Sequence, residues 1–454
     1  MQASPEEKFA LGWRGKAAAF ESAKKISRAK LRRVSRKENT RNALIIGDNL
    51  EALKLLHKNY AGKVKLVLID PPYNTGAPLL YADRFGSSTD RHSEWLSMMA
   101  PRLLLAREML SEEGVIFVHI DEYQQATLDL LLCEIFGDEN RIGTIIWDKR
   151  NPKGDSHALA EVHEYIIGFA RNLSAFTAKN DLHRPKPNAQ AMVDAAARLW
   201  AQDAASAPAA YRSWLAAQSF GAGEKAYRYL DEKGEIYRKV SMAWPNRKPA
   251  PPEFFLPLIH PVTQKPCPVP AKGWRNAPET MARLMAEGNI LFGPDESLQP
   301  TRKYLLRENM SEKLASVIHH GGSDDALLAQ MGLVFDNPKP LAVLRQIIAA
   351  TCKGEEIVMD FFAGSGSTAH AVLDHNAQSG DNLAFIAVQR PEPLARKSGD
   401  FETIADLCRA RITRAGERLR KAPHHSLWRG DAGFVEYQIA APSTRATKSG
   451  NSSK

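Results

Sequence analysis

Residues 64–73 read VKLVLIDPPY, and this stretch decides how the rest of the chain is interpreted. Its first six residues are apolar apart from one lysine, which is typical of a strand buried on both faces of a parallel sheet. The strand runs directly into an aspartate, two prolines and a tyrosine. Because proline fixes φ and lacks an amide donor, this corner is rigid and offers a carboxylate, carbonyl oxygens and an aromatic face. Such a set suits holding an exocyclic amino group against a stacked planar base, although a proline-rich turn without chemistry has the same pattern.

The composition is that of an ordinary globular protein with a basic bias. The chain has 454 residues, of which 44% are hydrophobic and 25% charged, so we expect more than one domain. No apolar run reaches membrane-spanning length and no signal peptide opens the chain, so we expect no membrane partner. Its four cysteines lack the spacing of metal sites, which disfavours disulfides and structural zinc and favours a reducing cytoplasm.

The positive charge is concentrated at the N-terminus. The net charge is +9, and residues 1–42 alone carry twelve Lys or Arg side chains against four Glu. A basic arm of this kind favours a polyanion such as nucleic acid, and it is equally typical of a solvated leader.

Strand and helix patterns alternate along both ends of the chain. The strand candidates are 42–48, 63–70, 115–121, 144–149, 164–170, 355–360 and 383–389. Helical patterns separate most of them, which predicts a doubly wound, mostly parallel α/β sheet of seven strands. Residues 172–335 interrupt this rhythm with Ala-rich helical segments and then a Pro-rich stretch with aromatic and basic residues. We interpret that region as an inserted, specialised module.

A second unusual loop, DFFAGSGST at 360–368, also follows a predicted strand. Gly364 and Gly366 would let the backbone approach a ligand, and the helix that follows would present free N–H groups. The third glycine of a dinucleotide-binding loop is missing, and the two glycines alone are also typical of a tight turn. Asp360 could bond an amine or a ribose hydroxyl. Gln389, at the end of the next strand, occupies the position where nucleotide-binding sheets usually carry an acid for the ribose.

The two loops would form one ligand site if their strands are neighbours in the sheet. In open α/β sheets, ligands bind at the carboxyl ends of the strands, where the strand order reverses. If the strands ending at Asp70 and Asp360 meet there, one loop can hold a cofactor and the other a substrate amine. Group transfer from a cofactor to a base nitrogen needs that geometry.

These motifs together resemble the β-class amino-methyltransferases of DNA, and within them the modification subunits of type III restriction-modification systems and their solitary relatives. The resemblance covers roughly residues 40–170 and 335–420. Its carriers are IGDNLEAL at 46–53, DPPYNTG at 70–76, HEY at 163–165, DNPKP at 336–340 and DFFAGSG at 360–366. In this class, as here, the catalytic motif precedes the cofactor motif.

The resemblance implies a Rossmann-like, seven-stranded methyltransferase sheet and a site-specific enzyme that acts on double-stranded DNA. The methyl group would pass from S-adenosylmethionine to N6 of a flipped-out adenine, without a metal. The catalytic residues would be Asp70, Pro71, Pro72 and Tyr73. Cofactor contacts would come from Asp48, Asn49, Asp336, Asn337, Lys339, Asp360, Phe362, Gly364, Gly366 and Gln389. A restriction subunit and a second copy of the chain are the protein partners that it suggests.

Charge, composition, the break in the strand–helix pattern and the resemblance together divide the chain into five segments. These are a basic arm (1–41), a catalytic half (42–171), an inserted target-recognition region (172–335), a cofactor-binding half (336–440) and a disordered tail (441–454). Arg247, Lys248 and Arg275 are candidate DNA contacts, whereas Trp274 is expected in a core. The arginines of the helix predicted at 403–421, among them Arg411, are expected on a solvated face.

Two other functions stay open at this point. A cytosine-N4 methyltransferase would use the same scaffold, and the leading Asp70 favours adenine over it. A catalytically silent DNA-binding regulator is disfavoured because Asp70, Tyr73 and Gly364 are all intact. The glycine spacing also argues against a nicotinamide-dependent dehydrogenase.

Overall fold

The chain forms two units, each with its own core. The computed structural model describes residues 11–35, 39–76, 90–150, 159–398 and 400–440. Met1–Arg184 and Lys313–Lys454 form the first unit, and Pro185–Glu312 form the second. The second unit spans fewer residues than the predicted insertion at 172–335 and lies within it. The predicted tail, 441–454, and parts of the predicted basic arm lie outside the described residues.

The first unit is built on a sheet of ten strands. In chain order they are β1 (Lys30–Arg33), β2 (Ala43–Ile46), β3 (Val64–Ile69), β4 (Leu110–Ile120), β5 (Arg141–Asp148), β6 (His163–Ala170), β7 (Val317–His319), β8 (Ile357–Asp360), β9 (Ala384–Gln389) and β10 (Val435–Ala440). Their order across the sheet is β1-β10-β2-β9-β8-β3-β4-β6-β5-β7. Only β1 and β6 run antiparallel to the other strands. The predicted α/β class with a mostly parallel sheet is confirmed.

The predicted number of seven strands is too low, because three further strands extend the edges of the sheet. Residues 30–33 were assigned to the basic arm and residues 317–319 to the insertion, and residues 435–440 were not predicted as a strand. Strand β1 pairs antiparallel with β10, and β7 pairs parallel with β5. The two outermost strands, β1 and β7, escape sequence patterns because an edge strand needs neither a buried run nor two paired sides. Strand β10 pairs with both β1 and β2, and its sequence VEYQIA lacks a continuous apolar run. Strand β1, with the sequence KLRR, is largely exposed.

Helices pack on both faces of this sheet. They are α1 (Lys16–Lys24), α2 (Asn49–Tyr60), α3 (Arg91–Met109), α4 (Gln125–Phe136), α5 (Leu173–Lys179), α6 (Asp325–Gln330), α7 (Leu341–Thr351), α8 (Ser367–Ser379) and α9 (Ile404–Lys421). One core contains side chains of β3, β4, α7 and α8, and the other contains side chains of β3, β4, α2, α3 and α4. All six residues of β3 are buried, as expected for a strand with helices on both faces. A short hairpin (Pro393–Ser398 and Phe401–Thr403) and a 3₁₀ turn (Asp138–Asn140) complete the unit.

The strand order reverses between β3 and β8. These two strands pair in parallel, with Leu66 opposite Val358 and Val67 opposite Met359. The chain leaves β3 through α3 to reach β4 on one side, and it leaves β8 through α8 to reach β9 on the other. The adjacency on which the predicted site depends is therefore confirmed. Asp70 and Asp360 lie at neighbouring carboxyl ends, where open α/β sheets bind ligands.

The second unit is a small α+β body. Its antiparallel sheet has the order Ile290–Leu291, Thr301–Leu305, Ile236–Ser241, Tyr229–Leu230. Helices cover Ala189–Gln202, Ala207–Ala217, Ala222–Lys225 and Pro278–Ala286, and 3₁₀ turns cover Pro252–Phe255 and Arg307–Asn309. Two short strands, His183–Pro185 and Ser311–Lys313, lie where the chain passes between the units.

The predicted DNA-contacting residues of this unit are on its surface. Trp274 is buried and its indole N–H donates to the Leu256 carbonyl at 2.9 Å, which confirms its expected place in a core. Arg247, Lys248 and Arg275 are exposed.

Within the described residues, no helix combines the length and apolarity that crossing a bilayer requires.

Candidate active site

A pocket lies at the carboxyl ends of β3, β4, β8 and β9, where both unusual loops meet. Its walls are formed by Ile69, Asp70, Pro72, His119, Phe335, Asn337, Pro338, Lys339, Leu344, Asp360, Phe362, Ala363, Gly364, Ser365, Ser367, Thr368, Gln389, Glu392 and Ile404. Eight of the residues predicted for the site are among them. The other six, which are Asp48, Asn49, Pro71, Tyr73, Asp336 and Gly366, are not part of these walls.

The Asp70–Tyr73 corner is fixed by hydrogen bonds at two points. The Tyr73 hydroxyl donates to Glu164 Oε2 at 3.0 Å, and the Trp95 indole N–H donates to the Pro72 carbonyl at 2.7 Å. Trp95 lies on α3 and is fully buried. The rigidity expected from the two prolines is thus reinforced by the fold on both sides of the corner.

Two lysines neutralise the two carboxylates at this end of the pocket. Lys339 Nζ lies 3.2 Å from Asp70 Oδ2 and 3.1 Å from Glu164 Oε2, and it sits 4.8 Å from the centre of the Tyr73 ring. Lys149 Nζ lies 2.6 Å from Glu164 Oε1. Burial alone would raise the pKa of Glu164, but the charges of Lys339 and Lys149 outweigh it and hold that pKa well below its ordinary value. Glu164 is therefore a carboxylate at neutral pH.

Sequence reasoning gave no role to Glu164 or Lys149. Glu164 stands in the HEY motif that carried the resemblance, so a signal was present, but nothing in the sequence indicated its partner. Lys339 was predicted as a cofactor contact. It lines the pocket, yet its ammonium group pairs with Asp70 of the predicted catalytic corner.

The glycine loop is held by bonds from its own residues and from β9. The Phe362 amide donates to Asp360 Oδ1 at 2.9 Å, and the Gly364 amide donates to Gln389 Oε1 at 2.8 Å. Gly364 and Gly366 have φ of +52° and +82°, a region that favours glycine. Gln389 thus shapes the loop as well as lining the pocket.

Asp360 is a buried carboxyl with an unusual titration. Burial raises its pKa to about 7, and the nearby charge of Asp70 adds to this, while hydrogen bonds from Thr368 and from the Phe362 amide oppose it. The group therefore changes charge close to neutral pH. A cationic ligand in the pocket would favour the ionised form.

Arg411 corrects the expectation of a solvated arginine face on α9. Its side chain is fully buried, and its guanidinium donates to Ser365 Oγ at 2.9 Å and to Ser367 Oγ at 2.6 Å. Asp324 Oδ2, at 3.3 Å, compensates part of its charge. Through these hydrogen bonds, Arg411 connects α9 to the glycine loop and to the first residue of α8.

Asp48 and Asn49 are outside the pocket lining, and their side chains make hydrogen bonds that hold neighbouring backbone in place. The Asp48 carboxylate caps α2 by accepting the amides of Leu50 and Glu51 at 3.0 and 3.1 Å. Asn49 Nδ2 donates to the Phe361 carbonyl at 2.7 Å, and Arg102 Nε donates to Asn49 Oδ1 at 2.6 Å. Their predicted contact with a cofactor stays a prediction.

Comparisons with known proteins agree with this geometry. A family model described as DNA methylase matches residues 64–390. The chain is 32% identical over 440 residues to the type III restriction-modification enzyme EcoP15I Mod subunit of Escherichia coli, covering 88% of this chain and 66% of that one. It is 28% identical over 396 residues to the type II methyltransferase M.KpnI of Klebsiella pneumoniae, covering 84% of this chain and 89% of that one.

Among solved structures, the PvuII DNA methyltransferase (cytosine-N4-specific) matches with a TM-score of 0.38 and 10% identity, covering 83% of this chain and 93% of that one. This chain spans slightly less than two thirds of the length of the EcoP15I Mod subunit.

Replacing Asp360 with Asn should change how stability depends on pH. A carboxyl whose pKa is higher in the folded than in the unfolded state stabilises the fold when protonated, and this contribution is lost as the pH rises through the folded pKa. Relative to Asp360→Asn, the wild type should therefore lose about 4 kcal/mol of stability between pH 4 and pH 8. Urea unfolding across this range measures the difference, and a pH-independent difference would contradict the burial of this carboxyl.

Replacing Glu164 with Leu should destabilise the first unit, because it leaves the nearby Lys339 and Lys149 ammonium groups without this carboxylate. Loss of one member of a buried ion pair typically costs about 3–5 kcal/mol. Glu108→Leu is the matched control, since that side chain is 57% exposed and pairs with His57 on the surface, and surface pairs contribute about 0–1 kcal/mol. Thermal unfolding of both variants should separate them, and equal midpoints would show that the Glu164 cluster carries no stability.

Proposed function

The chain belongs to the DNA methylase family, and from that membership we propose that it transfers a methyl group from S-adenosylmethionine to the N6 amino group of adenine at specific sites in double-stranded DNA. One observation carries the proposal. The Asp70 corner and the Asp360–Gly364 loop, far apart in sequence, line a single pocket at the point where the strand order reverses. A methyl donor and an acceptor amine must meet in such a place.

The chemical task of the Asp70 corner is to orient a weak nucleophile. The lone pair of an exocyclic amino group is delocalised into the base, so the nitrogen attacks poorly. Asp70 would accept a hydrogen bond from the amino group and favour a nitrogen whose lone pair points at the methyl group. That contribution is positioning and electrostatic stabilisation rather than strong base catalysis.

The Lys339 ammonium group is part of the same task. It pairs with Asp70 at 3.2 Å and holds that carboxylate beside Glu164. The Glu164 bond to the Tyr73 hydroxyl fixes the position of the ring on which the base would stack. A base inside a duplex cannot reach a pocket at the end of a sheet, so we propose that the adenine is flipped out, at a cost of a few kcal/mol.

The residues of the glycine loop fit S-adenosylmethionine by their chemistry. The cofactor, when bound, supplies a methyl group on a positively charged sulfur. Asp360 offers a carboxyl that a cation would ionise, Phe362 an apolar face, and Gln389 an amide for a ribose hydroxyl. Asn337 lines the same pocket and is a further candidate contact. The other predicted cofactor contacts are outside the pocket lining and would influence cofactor binding indirectly; they are Asp48, Asn49, Asp336 and Gly366.

Target choice and partners are part of the proposal. The Asp that leads the catalytic motif supports adenine, and a cytosine-N4 activity is the alternative. The second unit would recognise DNA, with Arg247, Lys248 and Arg275 as exposed cations for phosphate contacts. A restriction subunit is a candidate partner because a relative is named as the Mod subunit of a restriction-modification enzyme. A homodimer is the other assembly proposed.

Asp70→Ala should abolish methyl transfer while leaving cofactor binding intact. Removing a group that acts mainly in the transition state typically lowers the rate by about 10²–10³-fold or more. Transfer of a tritiated methyl group to plasmid DNA measures the rate, and calorimetry with S-adenosylmethionine measures binding. Retained methyl transfer by the variant would contradict the proposed role of Asp70. If both binding and turnover were lost, the residue would instead be required for the shape of the pocket.

Gly366→Ala should weaken binding of S-adenosylmethionine. The position has φ of +82°, and an added Cβ would lie 3.1 Å from Cys408 Sγ, so the loop or this side chain must move by a few tenths of an ångström. Gly354→Ala is a matched control, because its φ is +64° and no atom lies within 4 Å of the added Cβ. Both variants strain the backbone, but only the first should raise the Kd for the cofactor, by about tenfold or more. Equal affinities in calorimetry would count against the role of the loop.

A further inference from the structure

His119 is a buried histidine in the pocket wall for which neither the mechanism nor the resemblance provides a role. It lies near the end of β4, it is 1% exposed, and it lines the same pocket as Asp70. Within the part of the chain that the structure describes, neither ring nitrogen has a hydrogen-bond partner. Of the pocket-lining residues that the structure describes, it alone has buried side-chain polar atoms without a partner.

The ring is neutral at physiological pH. The pKa of His119 is lowered to about 4, mainly by burial; the charge of Lys339 acts in the same direction, and the charges of Asp70 and Glu164 oppose it. A neutral imidazole carries one N–H donor and one acceptor nitrogen. Buried polar groups without partners are rare in folded proteins, and those that occur call for an explanation such as a ligand.

The charged groups that act on His119 are paired with one another. Asp70 is a carboxylate that can only accept hydrogen bonds, and Lys339 donates to Asp70 and Glu164. The Trp147 ring packs edge-on at 6.4 Å and provides an apolar side. What the pocket gains from His119 is therefore a neutral donor in the same wall as the carboxylate that would hold an amino group.

A nucleobase offers the complementary pattern. Next to the amino group of adenine lie ring nitrogens that accept hydrogen bonds, N1 on one side and N7 on the other. We propose that His119 contacts the target base and donates a hydrogen bond to the ring nitrogen beside the amino group that Asp70 holds. This rests on the proposed function, and it would make His119 a determinant of which base the pocket accepts.

The test combines a variant with altered substrates. His119→Phe keeps a flat ring against Trp147 and removes both nitrogens. Once sequencing of methylated DNA has given the recognised site, duplexes are made with adenine, 1-deazaadenine or 7-deazaadenine at the target position. For the wild type, one analogue should lower kcat/KM by about tenfold, the value of one lost hydrogen bond in a buried site. His119→Phe should lower kcat/KM on normal DNA by a similar factor and should no longer distinguish that analogue from adenine.

Stability separates this role from a structural one. Because the variant removes unpartnered polar atoms from the interior, its melting temperature should be unchanged or higher. His57→Phe, on the surface of α2, is the matched control and should keep the analogue sensitivity of the wild type. If the methylated base is cytosine, N3 flanks the amino group and 3-deazacytosine replaces the two analogues.

Three outcomes would overturn the inference. They are a wild type that is insensitive to the analogues, an undiminished penalty in His119→Phe, and a lower melting temperature in that variant with the analogue penalty intact. In each of them the wild type still methylates DNA, so the proposed function survives. Absence of methyl transfer by the wild type would overturn the proposed function itself.

Discussion

Parallel pairing of β3 with β8 is the constraint on which the rest of the site depends. It brings the ends of two strands from opposite halves of the chain side by side, so that Asp70 and Asp360 face one pocket. The antiparallel direction of β6 adds to this, because its first residues then lie at the edge where the parallel strands finish. Glu164 reaches the Tyr73 hydroxyl for that reason, and Lys149 follows the end of the neighbouring strand β5.

The charges of the pocket follow from what is buried there. Glu164 is 4% exposed and would be unfavourable as an anion without its two lysines. Lys339 is shared between Glu164 and Asp70, so the catalytic corner and its support form one charge network. Asp360, by contrast, is buried at the glycine loop, and burial raises its pKa to about 7. The carboxylates at the Asp70 corner are thus paired with lysines, whereas the carboxyl group at the glycine loop changes charge near neutral pH.

Much of this arrangement could be predicted from the sequence, and the rest could not for physical reasons. Buried runs such as residues 64–69 predict strands because both faces need apolar side chains, and the loops after them predict the site. Edge strands such as β1 lack that signal. Glu164, Lys149 and Arg411 were missed because their roles depend on partners distant in sequence. An arginine on an amphipathic basic helix resembles a solvated residue until Ser365 and Ser367 are placed beside it.

The central claim is methyl transfer to an exocyclic amino nitrogen of DNA. The most direct measurement uses S-adenosylmethionine with a trideuterated methyl group, incubated with the protein and unmethylated genomic DNA. The DNA is then digested to nucleosides and analysed by mass spectrometry. We expect the label on N6 of deoxyadenosine. Label only on a ring carbon of cytosine, or no labelled nucleoside from a protein that binds both cofactor and DNA, would contradict the account.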